Sequence, residues 1–402
     1  MNELGYLSID VDNHYYEPLD AFTRHLPKEF RRRGVQIMKD GRHSVAVIGE
    51  RVNHFIPNPT FDPIIEPGCL DLMFRGQVPE GVDPVSLMKV EELDLRPEYQ
   101  NRDARLKVLA GQQLESIFLF PTFGCGVEEA LKKDIPATMA SLHAFNLWLD
   151  EDWGFDRPDH HVYAAPMISL ADPVAAAAEV DFVLERGARL VHVRPAPVPG
   201  EVKPRSLGHP DHDPVWARLA EAGVPVAFHL GDSGYLTISA MWGGKENFEG
   251  FGFTDPFDKI VTDDRAIHDT IASLIVHGVF TRHPGLRVAS IENGSEWVHR
   301  LAKRLRKLAN QYPRAFAADP VQELREHVWV APYYEEDVKR LAGVIGVERI
   351  LFGSDWPHGE GLETPVSYAK DLSPLNSDDD IEKVMRTNAL EYLGVPVPSV
   401  AR

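Results

Sequence analysis

Cysteine is nearly absent from this chain: its 402 residues include two, Cys69 and Cys125. Two cysteines cannot build a disulfide framework, which excludes a small stapled secreted fold and fits a reducing, cytoplasmic interior. Long apolar runs are missing as well. No window approaches the roughly 20 apolar residues that span a bilayer, and Met1-Asn2-Glu3-Leu4-Gly5-Tyr6 lacks the basic start and apolar stretch of a signal peptide. Positive charge is scarce, with 42 Lys and Arg against 61 Asp and Glu, a net charge of −19. A duplex-binding surface needs clustered cations to displace counterions, so nucleic acid is excluded as a partner. The basic segments Arg31-Arg32-Arg33 and Arg300 to Lys307 are short, and the second reads as the solvated face of a helix.

What is present is an alternation. Short apolar runs recur at Leu7–Val11, Ser116–Phe120, Val162–Met167, Leu190–Val193, Val224–Phe228, Leu286–Ile291, His327–Ala331 and Ile350–Gly353. Each is closer to continuous than to alternating, as strands buried on both faces are. Segments with helical spacing lie between them, among them Asp172 to Gly187, Asp213 to Gly223, Ala266 to Thr281, Ser295 to Ala309, Glu335 to Ala342 and Asp380 to Leu393. Eight such units predict an α/β fold, a (β/α)8 TIM barrel forming one domain over residues 1–402. A doubly wound sheet would show the same alternation, but an open sheet could hold sites on strands one, five and eight far apart, whereas a closed mouth lets them meet.

One stretch breaks the rhythm. Residues from about 20 to 100 form a long insertion between strands 1 and 2, rich in Pro, Gly and Asn. Val45–Ile48 and Arg51–Phe55 predict a hairpin around Gly49-Glu50. Phe55, Phe61, Leu70, Met73 and Phe74 argue against disorder. The insertion is expected to cover the barrel mouth or to form a partner surface. The aromatic stretch around Trp242, Phe248 and Phe251 is a further loop expected to shape the pocket.

Chemistry concentrates at the predicted strand ends. Asp12 and His14 are two apart on the first strand and point the same way. His229 ends the fifth strand and Asp355 follows Gly353-Ser354 at the end of the eighth. Read singly, these are a turn cap, an ordinary histidine, a buried histidine and a helix N-cap. Read together, Asp12, His14, His229 and Asp355 are a metal set of nitrogen and oxygen donors without thiolate. Such a set suits one divalent ion, zinc first with manganese or iron as alternatives, and leaves positions open for substrate.

Four more residues join the candidate list. Glu292, after the sixth strand, is an additional ligand, an acid-base group or a helix-start carboxylate. Arg194, after the fourth, would grip a substrate carboxylate or neutralise the acidic ligands. His358, three past Asp355, is a supporting residue for the site or a loop histidine, and Glu17 a supporting carboxylate or a turn residue. Gly124-Cys125-Gly126 reads as a loop turn rather than a nucleophile loop. Gly231-Asp232-Ser233-Gly234 lacks the lysine and spacing of a phosphate cradle.

The motifs resemble the amidohydrolase-related barrels that include aminocarboxymuconate-semialdehyde decarboxylase and the resorcylate and carboxyvanillate decarboxylases. Asp12-Asn13-His14-Tyr15-Tyr16-Glu17-Pro18 is similar to that family's opening, and Gly353-Ser354-Asp355-Trp356-Pro357-His358 to its last-strand motif. The resemblance implies that Asp12, His14 and His229 hold metal, and that Asp355 both binds it and moves a proton. Several of those decarboxylases carry His-x-Gly after strand six, where this chain has Glu292-Asn293-Gly294. Two mechanisms follow from one site. The first is non-oxidative decarboxylation of a small aromatic or unsaturated carboxylic acid, with Arg194 orienting the substrate. The second is metal-dependent hydrolysis of a C–N or C–O bond. A third reading is a non-catalytic small-molecule-binding barrel. The resemblance also implies a homodimer.

Overall fold

The computed structural model describes residues 4–41, 43–245 and 255–396. Strand β1 (Ser8–Tyr15) is buried along its whole length. It is followed by β2 (Val35–Asp40), β3 (His43–Ile48), β4 (Arg51–Asn53), β5 (Ile64–Ile65) and β6 (Val90–Glu91), all inside the long insertion. The remaining strands are β7 (Leu114–Pro121), β8 (Val162–Ala164), β9 (Val191–His192), β10 (Val226–His229), β11 (Val288–Ile291) and β12 (Val328–Val330).

The pairing runs in a ring. Parallel neighbours follow the order β1-β7-β8 and β9-β10-β11-β12. Single parallel bridges complete the circuit: Met167 to His192 joins the end of β8 to β9, Val330 to Ile350 extends β12, and Asn13 to Trp356 returns to β1. The eighth stave is therefore residues 350–356, held by isolated bridges and by hydrogen bonds such as Val11 N to Phe352 O (2.9 Å). It is not the regular strand that Ile350–Gly353 predicts, because Gly353, Ser354 and the positive φ of Asp355 (57°) interrupt the ladder.

Alternation along the staves sorts side chains into two cores. Val11, Phe118, Phe120, Ala227, Ala289, Ile291, Trp329 and Leu351 pack together. Ile117, Leu119, Val226, Phe228, Val288, Val330 and Phe352 join the helices instead. Period two does this: each strand offers one face inward and one outward. The helices obey the local rules. Asp172 caps Pro173–Glu185 by accepting from Val174 N and Ala175 N, and Gly223 ends Asp213–Ala222 at φ 66°, a conformation that spares a Cβ clash. The helix expected over Ala266 to Thr281 is two, Arg265–Val276 and Val279–Arg282, divided at Gly278 (φ 70°). The one expected from Glu335 begins at Val338, capped by Asp337.

Within the insertion, β2, β3 and β4 form an antiparallel sheet, and the hairpin turns at Gly49 (φ 57°) and Glu50 (φ 63°). Its later part docks on the loop after Asp355. Gly68 N donates to His358 O (3.1 Å) and Leu70 N to Gly359 O (2.8 Å). Arg75 pairs with Asp371 at 2.9 Å and lies over the Tyr334 ring. No helix among the described residues is long and apolar enough to cross a membrane.

Candidate metal centre

The C-terminal ends of the staves bring five side chains together. In β1 the register against β7 slips between Asp10 and Asn13. Such an irregularity re-aims side chains, so that after Val11 has joined the interior core, Asp12 and His14 both reach towards His229. His229 Nε2 lies 3.2 Å from Asp12 Oδ1 and 3.1 Å from Glu292 Oε2. His14 Nε2 lies 3.3 Å from Asp355 Oδ1, 3.4 Å from Asp12 Oδ1 and 3.7 Å from Glu292 Oε2. His14 and His229 are each 1 % exposed, so bulk solvent screens these contacts weakly.

The imidazole tautomers can be assigned from their outer nitrogens. His14 Nδ1 faces Pro121 O at 3.2 Å, and His229 Nδ1 faces Leu230 O at 2.8 Å. A carbonyl only accepts, so both Nδ1 atoms carry hydrogen, and a neutral ring then presents a bare lone pair at Nε2. Two lone pairs therefore aim at carboxylate oxygens, an arrangement that requires a cation or protons between them. His14 Nε2 makes no hydrogen bond despite its burial. An imidazole oriented by a carbonyl behind it, with carboxylates in front, is the arrangement of a divalent-ion ligand. The residues present fit such an ion.

The electrostatics express the same surplus of negative charge. Burial lowers the basicity of His14, but the carboxylates of Asp12 and Asp355 outweigh it and hold the ring up to about 10. Burial pushes the Glu292 carboxyl well up, helped by the charges of Asp355 and Asp12. Asp355 goes the other way: burial would raise it, yet His358 and His14 hold it well below the usual carboxylate range. Glu360 is raised by burial and by Asp355. Protons shared among these groups offset the same negative charge that a bound divalent cation would offset.

Strain marks the same two carboxylates. Glu292 (φ 56°) and Asp355 (φ 57°) occupy the left-handed region, which costs a non-glycine residue about 1–2 kcal/mol. Surrounding bonds hold them there. Asn293 Nδ2 donates to Phe228 O (2.9 Å) and Ile291 O (2.6 Å), and Tyr333 Oη donates to Glu292 O (2.9 Å). Asp355 N donates to Asp12 O at 2.9 Å.

Beside the cluster, a chain of polar groups leads away from Asp355. His358 Nδ1 lies 2.6 Å from Asp355 Oδ1, and His358 Nε2 lies 3.0 Å from Thr122 Oγ1. Thr122 commits its own proton to Tyr15 O at 2.8 Å. The His358 ring also stacks on that of His14, with centroids 4.1 Å apart. Glu17 stays outside the cluster. It accepts from Phe123 N (3.0 Å) and Gly124 N (2.8 Å), and burial raises it to about 6 against those bonds. It thus braces the turn Gly124–Gly126, whose buried Cys125 donates to Pro121 O.

Arg194 has partners to which the sequence did not point. Its Nη1 donates to Glu129 Oε2 (2.5 Å) and Asp232 O (3.1 Å), its Nη2 to Pro197 O (3.5 Å), and its Nε lies 3.5 Å from Glu128 Oε2. Its carboxylate partners are Glu128 and Glu129, not the cluster, because the helix Val127–Leu131 after β7 carries those glutamates to the end of β9. Of the loop aromatics, Trp242 is exposed and lies 6.1 Å from the Phe257 ring, while Phe248 and Phe251 lie outside the described residues.

Three supports carried no sequence signal. Asp10 accepts from Ser354 N (2.9 Å), Ser354 Oγ (2.5 Å), Asn13 Nδ2 (2.9 Å) and Asp12 N (3.2 Å). Arg105 donates to Asn13 Oδ1 (2.5 Å), His14 O (2.6 Å) and Glu98 O (2.8 Å), and its guanidinium faces the Trp356 ring at 4.5 Å. Thr122 is the third. Asp10 and Arg105 hold the backbone on both sides of Asp12, His14 and Asp355.

A ring of parallel staves with a nitrogen-and-oxygen donor cluster at their C-terminal ends defines a metal-dependent barrel enzyme. Residues 114–395 match the amidohydrolase family model, and the chain belongs to that family. It is similar to a solved amidohydrolase of Mycobacterium avium subsp. paratuberculosis K-10, with 69% identity, coverage of 97% of this chain and 100% of that one, and a TM-score of 0.93. A 5-carboxyvanillate decarboxylase of Novosphingobium aromaticivorans DSM 12444, solved with manganese and a nitrobenzoic acid ligand, matches at 16% identity over 98% of both chains, with a TM-score of 0.61. A 2,6-dihydroxybenzoate decarboxylase from Rhizobium matches at 19% identity over 73% of this chain and 88% of that one, with a TM-score of 0.56.

Proposed function

We propose that this chain is a metal-dependent hydrolase of a small molecule with a C–N or C–O bond at a carbonyl. The observation that carries the reading is the placing of the Nε2 atoms of His14 and His229 against carboxylate oxygens, with the Asp355–His358 pair alongside. Asp12, His14 and His229 would hold one divalent ion, zinc first with manganese or iron as alternatives, with Glu292 and Asp355 at its edge. Such an ion supplies Lewis acidity to a carbonyl and lowers the pKa of a water molecule from about 15.7 towards about 7.

The chain's own residues then do the proton work. Asp355 accepts the proton of the attacking water, and the hydrogen bond from His358 Nδ1 keeps its carboxylate aimed. The same proton passes to the leaving amine or alkoxide as the C–N or C–O bond breaks. The strap of residues 64–75, bonded to the 358–360 loop, would roof the mouth and limit bulk water.

Decarboxylation of a small carboxylic acid is the second reading. The Asp355–His358 pair serves it equally, since a proton held there could be delivered to carbon. It loses Arg194 as the orienting cation, because that guanidinium is committed to Glu128 and Glu129. A screen of small esters, lactones, amides and aromatic acids separates the two. Hydrolytic products without CO2 are expected, and CO2 release with no hydrolytic product would reverse the order.

Self-association as a homodimer in the cytoplasm completes the proposal. Leu72, Met73, Phe74, Val85, Val90 and Leu95 of the insertion are exposed, an apolar surface that a second copy would cover. Light scattering at micromolar concentration should give twice the 45.1 kDa chain mass; a monomer would contradict this.

A further inference from the structure

Beyond Asp355 the chain folds back on the turn that carries it. His358 N donates to Asp355 O (2.9 Å), Gly361 N to His358 O (3.2 Å) and Leu362 N to Ser354 O (2.9 Å). The fit is close, since a Cβ on Gly361 would lie 2.5 Å from Asp355 O and 2.6 Å from Ser354 O. With no slack between them, a shift of this loop is transmitted to the backbone of Asp355.

The strap of residues 64–75 holds the loop from outside at three places. Gly68 N and Leu70 N donate to His358 O and Gly359 O. The third is Arg75, directly after the helix Asp71–Phe74. Its Nε donates to Asp71 Oδ1 (2.6 Å), while Nη1 and Nη2 grip the two oxygens of Asp371 (2.9 and 3.0 Å). The face of the same guanidinium lies 4.3 Å from the centre of the Tyr334 ring, and Tyr334 Oη donates to Glu360 O (2.9 Å). A planar cation with donors on its edges and a face for an aromatic ring suits this junction, and an ammonium does not. Arg75 lies outside the residues 114–395 that match the family model, whereas Tyr334, Glu360 and Asp371 lie inside them.

We propose that Arg75 is a positioning residue: through the Tyr334 ring and its bond to Glu360 O, it fixes the 358–362 loop and with it the aim of His358 on Asp355. This rests on the reading of Asp355 and His358 as the proton-moving pair. An isolated surface ion pair contributes little. Here the pair is bidentate and continues through a ring into the loop, so the consequence of its loss is geometric.

The first measurement needs neither metal nor substrate. Amide hydrogen exchange of the full chain is followed in peptides covering residues 64–75 and 354–362, with residues 224–229 as reference, for wild type, Arg75→Met and Tyr334→Phe. Tyr334→Phe keeps the ring under Arg75 and loses only the hydroxyl, so it stays informative if Arg75→Met fails to fold. Both variants should exchange about tenfold faster over residues 354–362, as loss of a charge-assisted or buried hydrogen bond does, with the reference unchanged. On the substrate the screen identifies, each should lower kcat about 10- to 100-fold, the cost of a misplacement of about 1 Å, with KM nearly constant. The double variant should be no slower than the slower single one, because both remove one support. Metal content by plasma mass spectrometry should match wild type throughout. Wild-type exchange over residues 354–362 in the folded variants overturns the assignment. So does faster exchange with wild-type kcat, an effect on KM alone, or losses in kcat that multiply. A wild type that hydrolyses nothing, in a protein whose variants exchange faster, leaves the clamp on the loop standing and contradicts the hydrolase reading instead.

Discussion

Replacing Arg105 with methionine should destabilise the folded chain by about 3–5 kcal/mol. The guanidinium is fully buried and makes three hydrogen bonds, to Asn13 Oδ1, His14 O and Glu98 O. Methionine fills the space between Trp153 and Trp356 but donates nothing, so three buried acceptors lose their partners at once. Each unsatisfied group costs about 1–3 kcal/mol, less whatever rearrangement recovers. Lysine would not rescue it, since one ammonium cannot reach three acceptors placed for a planar fork. The measurement is the urea midpoint and slope of the full-length variant against wild type. A loss under about 1 kcal/mol would show that the site is not braced through Arg105.

The second large effect is kinetic. Asp355→Asn should lower kcat by about 10²–10⁴-fold on whichever substrate the screen identifies. The amide keeps the shape of the side chain, and its backbone bond to Asp12 O is untouched. What it loses is a carboxylate able to take and return a proton, on a group that His358 and His14 hold ionised through the neutral range. His358→Asn should lower kcat less, because it removes the partner and not the acceptor. A decrease of less than about tenfold for Asp355→Asn would place proton transfer on another group.

The parts of this fold that were legible in sequence are those governed by period and by hydrophobic content. Val226, Ala227 and Phe228 read as a buried strand ending in His229, and β10 is Val226–His229. The Asp12/His14 pair was visible from its spacing, and the two residues do reach one cluster with His229. They reach it by way of a register slip at Asp10 and Asn13 that no alternation pattern reveals. The hairpin at Gly49-Glu50 was legible because a two-residue turn demands positive φ, but the docking of Gly68 and Leu70 on the 358–360 loop uses backbone groups, which leave no side-chain signature.

What stayed hidden in the sequence shares a cause. Arg194 was read from its place at the end of the fourth strand as a cation for a substrate carboxylate or for the acidic ligands; the partners the fold gives it, Glu128 and Glu129, lie about 65 residues earlier in the chain and become neighbours only through folding. Arg105 carried no signal, since a helix with charges on several faces gives no hint that one guanidinium is buried. Glu292 was left with three possible roles, and only the fold shows that its carboxylate lies 3.1 Å from His229 Nε2.

The central claim is that Asp12, His14 and His229 meet to hold a divalent ion. Its most direct test is plasma mass spectrometry of wild type purified without chelator, set against the Asp12→Ala/His14→Ala double variant. Near one equivalent of zinc, manganese or iron per wild-type chain, absent from a folded double variant, is the result expected. A folded wild type that holds no metal, even after reconstitution, would contradict it.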